Sequence, residues 1–235
     1  LEFCPIPHLP EQCAQFSKKS LFKVMEQRFE YYKNHVVKQF YAEYFSSFDR
    51  QIVLVDILKA LNIGSGSFND MRRSVESVLK SFQYGKSGLF NRLFNVKISK
   101  LLFAATKADH VTPNQLHHLE SFLKHMISES QNNIAFEGVA VDTMALSSVK
   151  CTQAATSRFQ GQPISCIKGV PKGDTKEVAL FPGEVPTEIP TQDDWLEERF
   201  NFIEFRPPSL HDIKSKGVPH IRMDRALQFL LGDKV

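Results

Sequence analysis

The pattern of hydrophobic and polar positions predicts one long helix followed by an alternation of strands and helices. Apolar side chains recur at steps of three and four from Phe22 to Tyr44, which predicts an amphipathic helix within residues 17–48. Runs of apolar residues without alternation are typical of strands buried on both faces of a parallel sheet. Three later segments have this character: Gln51–Asp56, Lys100–Thr106 and Val139–Leu146.

Helices are predicted between these strands. Ser67–Asp70 and Thr112–Gln115 have the form of a capping box, in which the first side chain and the fourth satisfy free backbone N–H groups at a helix start. Pro113 stands at the first helical position, where its missing N–H costs nothing. Strand, helix, strand, helix, strand forms two right-handed crossovers, so we expect an α/β domain with a parallel sheet over residues 49–150.

Both ends of the chain differ from this middle part. Residues 1–16 hold three prolines and read as an extended arm, and eight of the twelve prolines lie beyond residue 160. We expect residues 151–235 to form a β-rich extension that ends in a helix. Its predicted elements are a hairpin of Pro163–Lys168 with Lys176–Phe181, a strand at Phe202–Phe205, and a last helix capped by Asp224 with Leu227, Leu230 and Leu231 on its apolar face.

Composition excludes several classes of protein. A net charge of +3 is too mild to indicate nucleic-acid binding, and no RNA-binding sheet signature is present. Four cysteines without metal-site spacing, no signal peptide and no long apolar run predict a soluble cytoplasmic protein. The basic amphipathic helix leaves two alternatives open: packing on its own domain, or contact with an anionic membrane surface or a protein partner.

Polar residues follow the predicted strands where parallel sheets bind ligands. Lys107 and Asp109 come directly after the second strand. A carboxylate offers two acceptors that match the neighbouring N1–H and amine of guanine, and adenine lacks this donor pair. The aliphatic stem of Lys107 can lie along the purine face while its ammonium reaches toward the phosphates. This Lys-x-Asp therefore predicts guanine recognition.

The third strand ends in a second loop of the same kind. It contains Ser148, Val149 and Lys150, and a backbone N–H near Val149 can donate to guanine O6 while Lys150 covers the other ring face. A phosphate-binding loop is missing, because Gly85-Lys86-Ser87 lacks the glycine that the motif requires five residues earlier and does not follow a strand. No metal-ligand spacing is present either, and the catalytic residue is unknown.

Seven segments of the sequence resemble the YcjX-like family of bacterial P-loop GTPases, and the resemblance covers nearly the whole chain. They are FDRQIVLVD (Phe48–Asp56), FNDMR (Phe68–Arg72), KLLFAATKADHVT (Lys100–Thr112), AFEG (Ala135–Gly138), PGEVP (Pro182–Pro186), IEFRP (Ile203–Pro207) and PHIR-D-AL-FL-GDK (Pro219–Lys234). The family is linked to stress responses, and an intact member is about twice as long, with its phosphate-binding motifs upstream.

The resemblance implies that this chain is the carboxyl-terminal half of such a GTPase. Its fold would be a partial P-loop GTPase-like parallel sheet with flanking helices, and its ligands GTP or GDP, with Mg²⁺ held through the missing half. Thr106, Lys107 and Asp109 would read guanine together with the second loop, although most GTPases carry Asn in place of Thr106. This chain alone would be inactive. The alternative is a non-catalytic interaction module that uses the long helix and the Phe-rich extension.

Overall fold

The computed structural model describes residues 20–44, 48–83, 98–135, 139–209 and 217–234. These residues belong to two compact units: one contains residues 20–44 and 48–49, and the other contains the rest. The predicted arm at residues 1–16 lies outside the described residues. No helix of the described part is long and apolar enough to cross a membrane.

The first unit is a helix within the predicted 17–48 segment. Helices α1 (Leu21–Tyr32) and α2 (Lys38–Glu43) are joined by a π-helical turn, Lys33–Val37. The Ser20 side chain caps α1 by accepting a hydrogen bond from the Lys23 N–H at 3.3 Å, which satisfies one of the free donors at a helix start. Phe40 at 52% and Tyr44 at 54% of full exposure show that large apolar side chains of this helix reach the surface.

The second unit is built on a parallel sheet, as the sequence predicts. Its strands are β1 (Arg50–Val55), β2 (Lys100–Ala105) and β3 (Ala140–Ala145), in the order β1-β2-β3 with both pairs parallel. The strands are in register, so that Val55, Ala105 and Ala145 stand side by side at their carboxyl ends. Central strand β2 is almost wholly buried, which explains its continuous apolar run.

Helices cover both faces of this sheet. Helices α3 (Ile57–Ile63), α4 (Ser65–Gln83) and α5 (Leu116–Ala135) share one core with Leu101 and Phe103 of β2. The intervening β2 residues Leu102 and Ala104 point to the opposite face, where they pack with Met144, Leu146 and Ala226. Because successive strand residues alternate between faces, one strand supplies both cores.

The structure contains one helix that the sequence did not predict and one that starts earlier than predicted. Asp56 caps α3, a helix that the sequence reading missed, and its carboxylate accepts from the Lys59 N–H at 3.2 Å. Helix α4 starts at Ser65, so the Ser67–Asp70 box lies inside the helix, after a turn in which Gly64 accepts from Phe68.

The second predicted capping box, at Thr112–Gln115, does not form because Gln115 has tertiary partners. Its side-chain amide donates to the Gly183 carbonyl at 2.8 Å and accepts from the Val185 N–H at 2.6 Å. A single 3₁₀ turn at Pro113–Gln115 leads instead into α5. Gln115 is buried, so these bonds fix the Pro-Gly segment of the extension against the start of α5.

The extension contains a second, antiparallel sheet. Strands β4 (Gln153–Phe159), β5 (Gln162–Gly169) and β6 (Val178–Leu180) are ordered β4-β5-β6, and the β5–β6 hairpin matches the predicted one. Strand β4 was not predicted. The predicted strand at Phe202–Phe205 is wrong, since this segment makes only one isolated bridge, between Phe205 and Pro171. A short helix, α6 (Gln192–Leu196), precedes it.

The last helix, α7 (Met223–Leu231), differs from its prediction at its start and on its face. Arg222, in the left-handed region with φ of 58°, precedes it, and Asp224 lies within its first turn without capping it. Leu227 and Leu231 are exposed at 50% and 43%. The face that packs on the sheet is formed by Met223, Ala226, Phe229 and Leu230.

Cations from the starts of two strands hold the end of α7. Arg50 donates through Nε to the Leu230 carbonyl at 2.9 Å, and Lys100 donates through Nζ to the Phe229 carbonyl at 2.8 Å. Both side chains also pair with Asp233, at 2.7 and 2.8 Å. Positive charge at a helix carboxyl end is favourable because the last carbonyls have no partner within the helix.

Candidate functional site

The carboxyl ends of β2 and β3 meet at one edge of the sheet. The Thr106 N–H donates to the Val55 carbonyl at 3.0 Å, which continues the ladder between β1 and β2 past the end of β2. The Ala108 N–H donates to the Leu146 carbonyl at 3.1 Å and links the loop after β2 to β3. These bonds place the two predicted base-reading loops next to each other.

Most of the predicted site residues line one cavity of about 720 Å³. They are Thr106, Lys107, Asp109, Ser148 and Val149. The same cavity is also lined by Ile52 and Leu54 of β1 and by Glu204 of the extension. Lys150 is the exception, because it lines a neighbouring cavity of about 750 Å³ beside the extension.

Lys107 is held between two carboxylates. Its ammonium lies 2.9 Å from Asp56 Oδ2 and 2.6 Å from Glu204 Oε1. Its backbone has φ of 58°, a left-handed conformation that residues with a Cβ adopt rarely. Burial disfavours the charged ammonium, but the hydrogen bonds to Glu204 and Asp56 outweigh it and raise the Lys107 pKa above its usual value.

The Asp109 carboxylate is turned into the protein. Its Oδ1 accepts from Ser147 Oγ at 2.7 Å, and its Oδ2 accepts from the Cys151 N–H at 2.6 Å. Burial favours the neutral acid, yet the hydrogen bonds from His110, Ser147 and Cys151 lower the Asp109 pKa. In turn, burial and this carboxylate raise the pKa of the Cys151 thiol to about 11, so the thiol stays protonated at neutral pH.

His110 connects Asp109 to the extension. Its Nε2 accepts from the Phe205 N–H at 3.0 Å, which leaves Nδ1 as the protonated nitrogen that donates to Asp109 Oδ1 at 3.3 Å. The Phe205 ring packs edge-on against the imidazole at 5.5 Å between centroids. Because both ring nitrogens of His110 are used, the imidazole orients the carboxylate.

The second loop is held from outside by the segment that precedes α7. Ser147 and Ile221 exchange two backbone hydrogen bonds, at 2.8 and 3.1 Å, and the Lys150 N–H donates to the Pro219 carbonyl at 2.7 Å. Among the described residues, none accepts a hydrogen bond from the Val149 N–H. Val149 therefore keeps the free donor that the sequence reading assigns to guanine O6.

Four residues of the site were absent from the predicted set: Asp56, Ser147, Cys151 and Glu204. Asp56 directly follows β1, and Ser147 lies in the loop after β3. Both positions at strand ends can be recognised in the sequence. Glu204 carries no such signal, because it lies in an irregular segment 97 positions from the lysine that it binds. Cys151 takes part through its backbone N–H, which any residue type supplies.

Glu204 should lose its contribution to stability in acid. The bonds from Lys107 and then Lys172 lower the Glu204 pKa to about 2. A carboxyl with a lowered folded-state pKa stabilises fully above its unfolded value of about 4.3 and loses this effect as pH falls through the folded value. We expect the difference in urea midpoint between wild type and Glu204→Gln to shrink between about pH 5 and about pH 2. A difference that is unchanged at about pH 3 would contradict the assigned partners.

These features define an α/β protein with a candidate ligand site at the carboxyl ends of its parallel strands. Two loops supply a cation, a hydrogen-bonded carboxylate and a free backbone donor to that site. The model of the YcjX-like family, DUF463, matches residues 1–235, and the chain belongs to this family.

Two curated relatives carry the same name. A protein from Escherichia coli named Ras-like GTPase YcjX is 43% identical over 239 residues, an alignment that covers 100% of this chain and 51% of that protein. One from Shewanella oneidensis with the same name is 44% identical over 223 residues, covering 94% of this chain and 46% of that protein. The chain thus spans about half the length of these relatives.

Proposed function

We propose that this chain is the guanine-nucleotide-binding part of a GTPase of the YcjX-like family. The observation that carries the proposal is the meeting of two loops at one cavity: Lys107 and Asp109 after β2, and residues 147–149 after the neighbouring β3. The relatives are named Ras-like GTPase, which supports GTP hydrolysis as the reaction of the full-length protein.

Asp109 recognises guanine by giving up one hydrogen bond from the protein and accepting two from the base. A carboxylate has about four acceptor positions, and three are taken by Ser147, His110 and Cys151. Guanine presents two neighbouring donors, so one internal bond has to give way. The Cys151 N–H is the donor that is released, since it comes from the loop that flanks the cavity, whereas His110 is fixed from both sides by Phe205 and Asp109.

The phosphates and Mg²⁺ belong to residues outside this chain. A P-loop needs a glycine five residues before the Gly-Lys-Ser, and Lys80 occupies that position relative to Gly85. The described residues hold no group of three or more His, Cys, Asp or Glu that could bind a metal ion. We expect no hydrolysis by these 235 residues alone.

The test is nucleotide preference of the full-length protein by calorimetry. We expect GDP to bind at least about 100-fold more tightly than ADP. The Asp109 carboxylate accepts from two neighbouring donors of guanine, and a site of this kind rejects a base that lacks them. Equal affinity for GDP and ADP would contradict guanine recognition and favour an interaction module instead. The measurement is made with Mg²⁺ present in both titrations, so that the phosphates contribute equally.

A further inference from the structure

Glu204 lies in a part of the extension that is fixed at both ends. At one end, Phe202 and the Asn62 side chain of α3 exchange two hydrogen bonds, at 2.8 and 2.6 Å. At the other end, Phe205 donates to His110 and bridges to Pro171. This short segment is therefore clamped between the α/β domain and the antiparallel sheet, and Glu204 stands in its middle.

The Glu204 carboxylate joins the base-reading loop to the extension. One oxygen binds the Lys107 ammonium at 2.6 Å, and the other binds Lys172 at 2.9 Å. The Glu204 backbone carbonyl also accepts from the Lys172 N–H at 2.8 Å. With Asp56 on its other side, the Lys107 ammonium has a fixed position between two carboxylates.

Holding that ammonium fixes the rest of the side chain. The left-handed backbone of Lys107 sets the direction of its side chain, and the two carboxylates fix the position of its ammonium. The four methylenes between these fixed points therefore have few remaining rotamers. A free lysine loses much rotamer freedom when its stem is laid against a ring. At this site that ordering is complete before any base arrives.

We propose that Glu204 is a positioning residue that preorders the stem of Lys107 as a platform for the purine ring. This inference rests on the proposed function and adds a role for the extension: it raises affinity for the base without reading which base is bound. A lysine stem contacts any purine face, whereas the choice of guanine belongs to Asp109.

The experiment compares Glu204→Gln with wild type in the full-length protein by calorimetry. We expect GDP and ADP to be weakened by the same factor, about three- to fivefold, so that their ratio stays constant. A merely structural role would move the ratio, because disturbing the base loop would also displace Asp109. In a Lys107→Met background, which keeps an apolar stem but removes the charge, Glu204→Gln should no longer change the affinity for either nucleotide.

Glu177→Gln is the matched control. Glu177 pairs with Lys168 of β5 at 2.7 Å, and this Lys–Glu ion pair of the extension does not involve Lys107. It should leave both affinities unchanged. Thermal melts of all variants accompany the titrations, and a Glu204→Gln variant that unfolds would make Glu204 a structural residue and overturn the inference.

The outcomes separate the two proposals. Wild type with GDP preference and a Glu204→Gln variant that binds as wild type would overturn the platform and leave guanine recognition intact. Wild type that binds GDP and ADP equally, with both weakened by Glu204→Gln, would support the platform and contradict guanine recognition. Wild type that binds neither nucleotide would overturn both.

Discussion

Asp109→Asn in the full-length protein should weaken GDP and create a preference for xanthine nucleotides. The Asn side chain keeps one acceptor and replaces the other by a donor, which faces the guanine amine unfavourably and suits the second carbonyl of xanthine. Losing one charge-assisted bond and leaving a donor unpaired costs about 2–3 kcal/mol, roughly a 30- to 150-fold loss in GDP affinity. Competition between labelled GDP and XDP measures this change in base preference directly.

The same substitution also acts inside the protein. In the free site the Asp109 carboxylate serves three donors, and Asn offers a single carbonyl oxygen to them. We therefore expect a lower melting temperature as well as the changed preference. Asp142→Asn is the control, since this exposed carboxylate on β3 accepts from the neighbouring Thr143 N–H, at 2.8 Å, and Asn can do the same. If the Asp109 variant bound GDP as wild type does, Asp109 would not be the base reader.

Gly169→Ala should destabilise the protein and weaken GDP binding at the same time. An added Cβ would lie 2.9 Å from Phe205 Cδ1 and 3.0 Å from the Cys151 carbonyl oxygen. Both neighbours support the site, because Phe205 donates to His110, which orients Asp109, and Cys151 belongs to the loop that flanks the cavity. Overpacking of this kind costs about 1–3 kcal/mol, which corresponds to a melting temperature lower by several degrees, at about 2–4 °C per kcal/mol.

Gly66→Ala provides the matched comparison. Gly66 lies in α4, and an added Cβ there meets nothing within 4 Å. Because Ala is a better helix former, this variant should be neutral or more stable by about 0.5–1 kcal/mol. A Gly169→Ala protein as stable as wild type would show that β5 can move away from Phe205 and Cys151 without cost.

The parallel sheet could be predicted because its strands are continuous apolar runs. Strand β2 is buried on both faces, and its apolar run is too short for a typical helix, which favours a strand. Strand β4 escaped prediction for the opposite reason: most of its residues are exposed, so it has no apolar pattern. Gln160 and Gly161 connect it to β5, both with positive φ, and Gln is an unusual residue for such a turn.

The capping box predicted at Thr112–Gln115 fails because of partners far along the chain. The Thr112–Gln115 pattern has the local chemistry of a capping box, but Gln115 gains more from two buried backbone groups of the extension. The face of α7 was misread because Leu227 and Leu231 are exposed while the small Ala226 lies against the sheet.

The loops of the candidate site could be located from the sequence, but their bonding could not. Lys107 and Asp109 follow a strand, and the topology rule that places ligands at carboxyl strand ends indicates their neighbourhood. That Glu204 would meet Lys107 depends on how an irregular, proline-rich segment folds back over the sheet. No periodicity encodes that path, so it becomes visible only in three dimensions.

The clamp on the end of α7 bears on the order in which the molecule is made. Arg50 and Asp233 are separated by 183 positions, so the start of β1 leaves the ribosome long before its partner exists. Until α7 arrives, the face of β2 formed by Leu102 and Ala104 lacks its cover. Contacts at such separation are closed slowly. Completion of this domain therefore waits until α7 has been synthesised, and in the interval the sheet is held by the core on its other face.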